Sequence, residues 1–192
     1  MFVHRGGKAG GAPLVLIHGW MMTHWYFRPV LDVLGADREI FAVDLPGFGE
    51  SDRPSPSTFG YDAAAFADIV DVVMGALSLG RADVIGHSMG GGVAITLAAR
   101  HPERVQRLVA VAAALYPITD MPPLAKLALL PVVGRHLARL GLTRREFARS
   151  CRSQSVRDGR VLDDDWVDYF WARLSRAGGH DAAHTCLTVM GP

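Results

Sequence analysis

At 192 residues and 20.7 kDa, the chain has the length of one domain, or of one domain carrying a small insertion. It is 49% hydrophobic and 20% charged, with a mean hydropathy of +0.18, which excludes wholesale disorder and a coiled coil. A net charge of +1 argues against nucleic-acid binding, and two cysteines, Cys151 and Cys186, are too few for a disulfide framework and suit a reducing, cytoplasmic setting.

Short β-type runs alternate with helical patterns through about residue 113, the signature of an α/β fold with a mostly parallel sheet. Phe2–His4 reads as a first strand before the glycine-rich turn Arg5–Gly11. Leu14–Ile17 is a continuous apolar run, as a strand buried on both faces should be. The helical stretch Tyr26–Leu34 and the strand Ile40–Val43 follow. Leu45–Pro56 is turn chemistry, with three prolines and two glycines. Tyr61–Leu79 reads as a helix, its Phe66, Ile69, Val70, Val73 and Leu77 at helical spacing, and Gly80 stands where a helix-ending glycine belongs. Asp83–Ile85 is a strand, Met89–Arg100 a helix that stops before Pro102, and Val105–Val111 another strand. Beyond Ala114, Pro117, Pro122, Pro123 and Pro131 interrupt the chain, and short helices are expected, Leu162–Ala177 the clearest. The expected division is a sheet-bearing part, residues 1–114, and a helical part, residues 115–192.

The chemistry sits in Val84–Ile85–Gly86–His87–Ser88–Met89–Gly90–Gly91–Gly92, a G-x-S-x-G sequence between an expected strand and an expected helix. A sharp strand-to-helix turn holds such a serine in a strained conformation with its Oγ exposed, and side chains at the flanking glycines would clash. The helix that begins there aims its N–H groups at charge developing nearby. With 21 glycines in the chain, roughly 0.1 chance matches are expected, so the pattern alone does not decide the matter. A glycine-rich contact between helix and sheet would look the same.

Two further segments do decide it. His18–Gly19–Trp20 follows the strand Leu14–Ile17, and Asp44–Pro54 follows the strand that ends at Val43. The three segments, in this order and spacing, resemble the α/β-hydrolase fold family, in particular its cap-bearing serine esterase, perhydrolase and carbon–carbon hydrolase branches. The resemblance implies an α/β-hydrolase core over 1–114 and a helical cap over 115–192. It also implies Ser88 as nucleophile and the backbone N–H groups of Trp20 and Met89 as oxyanion-hole donors. The substrate implied is a small-molecule acyl compound, with no metal and no organic cofactor. The Asp44–Pro54 loop reads as structural, with Asp44 a turn former.

The same resemblance implies that an acid and then a histidine follow the serine on later strands. Only one strand follows Ser88 here, so the last strands are expected to be missing, roughly 70–100 residues at a typical length for the fold. Each histidine present is poorly placed. His101 ends the nucleophile helix, His136, His180 and His184 lie in the cap-like part, and the His87 side chain is expected to diverge from Ser88. Glu103 belongs to the far end of the sheet, which leaves Asp120 as the one plausible stand-in acid. The expected consequence is an inactive chain; the alternative is a binding protein on the same fold. His180-x-x-x-His184 spaces two imidazoles one helical turn apart, but Asp181 stands where a zinc protease needs Glu, so a solvated helix is expected. Residues 121–162 carry nine basic and two acidic side chains, with Arg135, Arg139, Arg144, Arg145 and Arg149 at helix-like spacings, and read as a solvated face. No run of 18 apolar residues is present to span a membrane.

Overall fold

The computed structural model describes residues 1–115, 125–130, 133–141, 143–155 and 162–190. Five strands form one sheet: β1 (Phe2–Gly7), β2 (Ala12–Ile17), β3 (Arg38–Asp44), β4 (Ala82–His87) and β5 (Val105–Val111), in the order β1-β3-β2-β4-β5. β1 runs antiparallel to β3, and the other pairs are parallel. Leu14–Ile17 and Ile40–Val43 are buried, as expected of central strands covered on both faces. The first strand runs three residues further than its sequence indicates, through Gly7. Pairing with β3, and the Arg5 guanidinium on Glu39 (2.6 Å), supply what local propensity lacks.

The helices are α1 (Arg28–Leu34), preceded by a 3₁₀ turn at His24–Phe27, α2 (Ala63–Ala76) and α3 (Met89–Arg100). The Asp62 side chain caps α2 by accepting from Ala65 N–H (2.7 Å). Its other end departs from expectation. The left-handed residue is Ser78 (φ 57°), and the closing bonds run from Ser78 N–H to Gly75 O and from Leu79 N–H to Met74 O, both 2.9 Å. Gly80 takes no part in this cap.

A helical layer follows the sheet: a 3₁₀ turn at Ala125–Leu129, then α4 (Val133–Gly141), α5 (Arg144–Ser150) running into a π turn at Cys151–Ser155, α6 (Asp164–Leu174) and α7 (Gly179–Met190). Its apolar face, with Phe147, Val167, Phe170 and Cys186, joins the same buried cluster as Met22, Leu45, Phe48 and Met89 from the sheet side. Three of its described arginines are answered within the layer, and Arg173 and Arg176 reach across to Glu50, both at 2.6 Å. Arg144 meets Asp168 (2.5 Å), Arg152 meets Asp164 (3.0 Å) and Arg135 approaches Asp181 (4.0 Å). The expected solvated helix at His180–His184 is corrected: α7 turns Ala182, Ala183, His184 and Cys186 inward, and His184 is only 4% exposed. Asp120, Pro117, Pro122, Pro123 and Pro131 lie outside the described residues, as does the side chain of Arg139.

Candidate active site

Ser88 occupies the turn between β4 and α3 with φ 53° and ψ −120°, backbone that an L side chain rarely adopts. The turn is clamped from both sides. Ser88 N–H donates to Val111 O (2.9 Å), at the end of β5, while Ser88 O accepts from Gly91 N–H (2.9 Å) and Ala114 N–H (3.0 Å). The flanking glycines are there for space. A Cβ on Gly86 would strike the Gly90 carbonyl, one on Gly90 the carbonyls of Ile17 and His18, and one on Gly91 the Ala113 side chain at 2.6 Å. Close approach of the helix start to the end of β2 therefore needs bare backbone at these positions.

Met89 is the first residue of α3, so its N–H has no carbonyl partner within the helix and lies at the positive end of the helix dipole. Its side chain is buried against the Cys186 thiol (3.2 Å). Trp20 lies in the loop after β2, where its indole N–H donates to Ala183 O on α7 (2.9 Å). The loop is fixed by His18, which is fully buried. Leu45 N–H donates to His18 Nε2 (3.0 Å), so the ring proton is on Nδ1 and is given to Gly19 O (2.8 Å). Burial pushes the His18 imidazole below its usual range, which keeps this neutral arrangement.

Ser88 opens onto a cavity of about 350 Å³ lined by Gly19, Trp20, Met21 and Met22 after β2, His87 and Ser88 at the elbow, Ala112 after β5, and Phe147, Ser150 and Cys151 of the helical layer. Three of the five described non-glycine residues with positive φ, Met21, Ser88 and Ala112, line it. Concentrated strain of this kind marks sites where geometry is imposed for a purpose. His87 and Ser88 both line this one cavity, although no hydrogen bond joins their side chains. The His87 ring stacks on Tyr26 (centroids 4.4 Å apart, 20° between planes) with its Nε2 3.1 Å from the Tyr26 hydroxyl. A Cβ on Gly19 would sit 3.1 Å from His87 Nδ1 and 3.2 Å from Ser88 Cβ, so the bare glycine keeps both groups in place. Sequence reasoning missed the walls of the cavity. Met21 and Met22 adjoin a recognised motif, but nothing local marks Phe147, Ser150 or Cys151, which tertiary packing alone brings here.

The other candidates lie elsewhere. Asp44 is fully buried and accepts from His24 N–H (2.5 Å), His24 Nδ1 (2.9 Å) and Glu50 N–H (2.9 Å). Burial by itself would raise its carboxyl, but the His24 hydrogen bond and its other partners outweigh that and hold it low. It organises a turn, as expected. His101 caps the far end of α3, about 20 Å along the helix from Ser88. There Asp71, His101 and Glu103 cluster as metal ligands might be sought, yet Arg104 holds Asp71 at 2.5 Å and His101 lies 3.0 Å from Asp68. The His180 ring packs on Trp171 (5.9 Å) in the helical layer.

Residues 12–158 match the alpha/beta hydrolase fold family, and the chain belongs to that family. Its relatives include hydrolases and also the dihydrolipoyllysine-residue acetyltransferase component of the acetoin cleaving system of Pseudomonas putida, 36% identical over 110 residues and covering 56% of this chain and 28% of that one. The chain is 42% identical over 123 residues to 2-hydroxymuconate semialdehyde hydrolase of Pseudomonas sp. (strain CF600), covering 62% of this chain and 42% of that one. It is 34% identical over 106 residues to the soluble epoxide hydrolase of Corynebacterium sp. (strain C12), covering 55% and 36%. Cfl2 of Burkholderia cenocepacia, known from its crystal structure, superposes with a TM-score of 0.84 at 26% identity, covering 97% of this chain and 66% of Cfl2. The matched stretch is thus less than half the length of these curated relatives. No described helix is long and apolar enough to cross a membrane.

Proposed function

We propose that this chain is a serine hydrolase of acyl compounds, an esterase-like member of its family, with Ser88 as nucleophile and the N–H groups of Met89 and Trp20 as oxyanion-hole donors. The observation that carries the reading is the strained Ser88 at the mouth of a cavity, at the N-terminus of α3. Ser88 Oγ attacks the carbonyl carbon, the carbonyl oxygen becomes an oxyanion held by the two N–H groups, and collapse of the tetrahedral species expels the leaving oxygen, which departs as the alcohol with the proton given up by Ser88; water then cleaves the acyl-Ser88 ester to the acid and restores the hydroxyl. Each donor is worth about 2.7–4 kcal/mol by analogy with measured oxyanion holes. The names of the two hydrolases among the relatives support the reaction class.

The Ser88 proton needs an acceptor, and among the described residues lining the cavity the only imidazole is that of His87, whose Nε2 Tyr26 engages, whose Nδ1 is buried without a partner, and which makes no hydrogen bond to Ser88. Residues 1–192 on their own are therefore expected to acylate slowly and to turn over negligibly. Incubation with 4-nitrophenyl butanoate, followed by intact-mass analysis and peptide mapping, should find one butanoyl group on Ser88 and none in Ser88→Ala. An unmodified Ser88, or equal labelling of both proteins, refutes the nucleophile and leaves a binding protein on this fold. Fast Ser88-dependent turnover refutes the lack of a base, with Asp120 and His180 the first groups to replace.

A further inference from the structure

The cavity in front of Ser88 is lined by residues of the segments after β2 and β5, of the elbow at the end of β4 and of the helical layer. Among the described residues that line the cavity there is no Lys, Arg, Asp or Glu. Its titratable members are neutral: burial lowers the His87 imidazole and pushes the Cys151 thiol up to about 11. The Trp20 indole N–H is already committed to Ala183 O, so Trp20 offers the cavity an apolar ring. Met21, Met22, Ala112 and Phe147 add further apolar surface. Of the arginines that flank these wall residues, Arg145 and Arg149 are exposed and stand outside the lining, while Arg144 and Arg152 are engaged by other groups. Arg152 donates to Leu162 O and Asp164 Oδ1, both 3.0 Å away, and Arg144 bonds Asp168. A volume of about 350 Å³ stands at the small end of ligand sites, which span about 300–1,000 Å³.

We propose that the Ser88 cavity receives a compact, uncharged acyl group and rejects an acyl group that ends in a carboxylate. The proposal rests on the serine-hydrolase reading and narrows its substrate class. A carboxylate entering this space would leave water without gaining a cation or a charge-assisted donor from the described wall, and an ion desolvated without a partner binds poorly. An aliphatic chain loses nothing on entering and gains contact with Met21, Met22 and Phe147. Ser150 is the position from which this preference can be rewritten. It is half-buried in the cavity wall, on the last turn of α5, where a long cationic side chain reaches the space without replacing a core residue.

The test uses three esters and residues 1–192, with affinities from ligand-observed NMR at pH 7.5. Methyl hexanoate is uncharged, monomethyl adipate replaces its terminal methyl by a carboxylate, and dimethyl adipate restores neutrality at greater length. Methyl hexanoate and dimethyl adipate should bind at least tenfold more tightly than monomethyl adipate. Ser150→Arg should close that gap to less than threefold, whereas Ser150→Gln, a polar change without charge, should leave it open. Equal binding of methyl hexanoate and monomethyl adipate overturns the proposal, as does failure of all three to bind. So does a gap that Ser150→Arg leaves untouched, because the discrimination then arises elsewhere. The serine reading fails separately. A protein that discriminates among the esters but never acylates Ser88 keeps the cavity assignment and loses the nucleophile. One that acylates Ser88 equally from charged and uncharged esters keeps the nucleophile and loses the cavity assignment.

Discussion

The loops that leave β3 and β4 sit at the same end of the sheet and are built on opposite principles. The side chains that most resemble a catalytic pair gather at the end of β3, where the buried Asp44 carboxylate meets the His24 imidazole from the turn after β2, with the Tyr169 hydroxyl of α6 3.5 Å from the other ring nitrogen. Every one of those groups is turned inward and satisfied. The loop after β4 has a less conspicuous set of side chains, but its serine is strained, its glycines admit no Cβ, and it faces a cavity. The contrast teaches that acid–base composition is a poor guide to reactivity. A polar cluster that fully satisfies itself holds a turn together, and a site for chemistry keeps donors and a nucleophile uncommitted.

The comparison breaks most plainly at Asp44. Asp44→Ala leaves two N–H groups and an imidazole nitrogen buried without their acceptor, and removing one partner of such a cluster costs about 3–5 kcal/mol. The urea unfolding midpoint should fall accordingly. A loss below about 1 kcal/mol would mean that the cluster is not the structural pin described.

On the elbow side the corresponding weak point is a glycine. Gly90→Ala drives a methyl into the carbonyls of Ile17 and His18, which cannot swing aside as a side chain would. The expected cost is about 1–3 kcal/mol, with α3 displaced from the end of β2. Gly80→Ala is the control, because a Cβ there meets nothing within 4 Å and φ is not positive. That change should be neutral or stabilising by about 0.4–1 kcal/mol. Similar losses at both positions would refute the steric account.

Acid should expose the two loops in different ranges. His18 and His87 are both lowered by burial, so the folded state prefers them neutral. Their stabilisation is complete above the unfolded value of about 6.5 and is lost as pH falls from there through their folded values, where the unfolded chain binds the extra protons. Asp44, lowered in the fold, contributes fully above about 3.8 and is lost only below that. The urea midpoint should therefore decline between pH 7.5 and 5, before any carboxylate contributes, and His18→Asn should flatten that decline. A midpoint independent of pH across this interval contradicts the neutral-histidine arrangement.

Much of this was legible in the chain. Continuous apolar runs identify β2 and β3 because strands covered on both faces need no alternation, and the G-x-S-x-G elbow is readable because its glycines answer a local steric demand. The sequence points to Gly80 as the exit from α2, but Ser78 takes the left-handed position, a choice that local propensity does not reveal. The inward face of α7 was hidden for another reason. His180, Asp181 and His184 look like solvated helix until the sheet side supplies Met89 and Trp20 for that helix to pack on. The cavity walls contributed by Phe147, Ser150 and Cys151 depend on the same long-range packing.

The smallest expected effect tests the strain itself. With φ 53° and ψ −120°, Ser88 holds backbone that costs a side-chain-bearing residue about 1–3 kcal/mol. Ser88→Gly relieves that strain and loses about 0.5–1 kcal/mol of it again to the greater freedom of glycine in the unfolded chain. Ser88→Ala removes the hydroxyl and keeps the strain. Both variants lack the nucleophile, so their difference reports on backbone alone. Ser88→Gly should be the more stable of the two by about 1 kcal/mol in urea unfolding. The loop after β3 offers the matching measurement at Gly49 (φ 57°), where a Cβ would strike the Asp44 carboxylate. There Gly49→Ala should only destabilise, because that loop already has the residue its backbone favours. If Ser88→Ala equals or exceeds Ser88→Gly, the elbow is relaxed and its unusual angles cost the fold nothing. The contrast between a strained reactive turn and a satisfied structural one would then rest on the cavity alone.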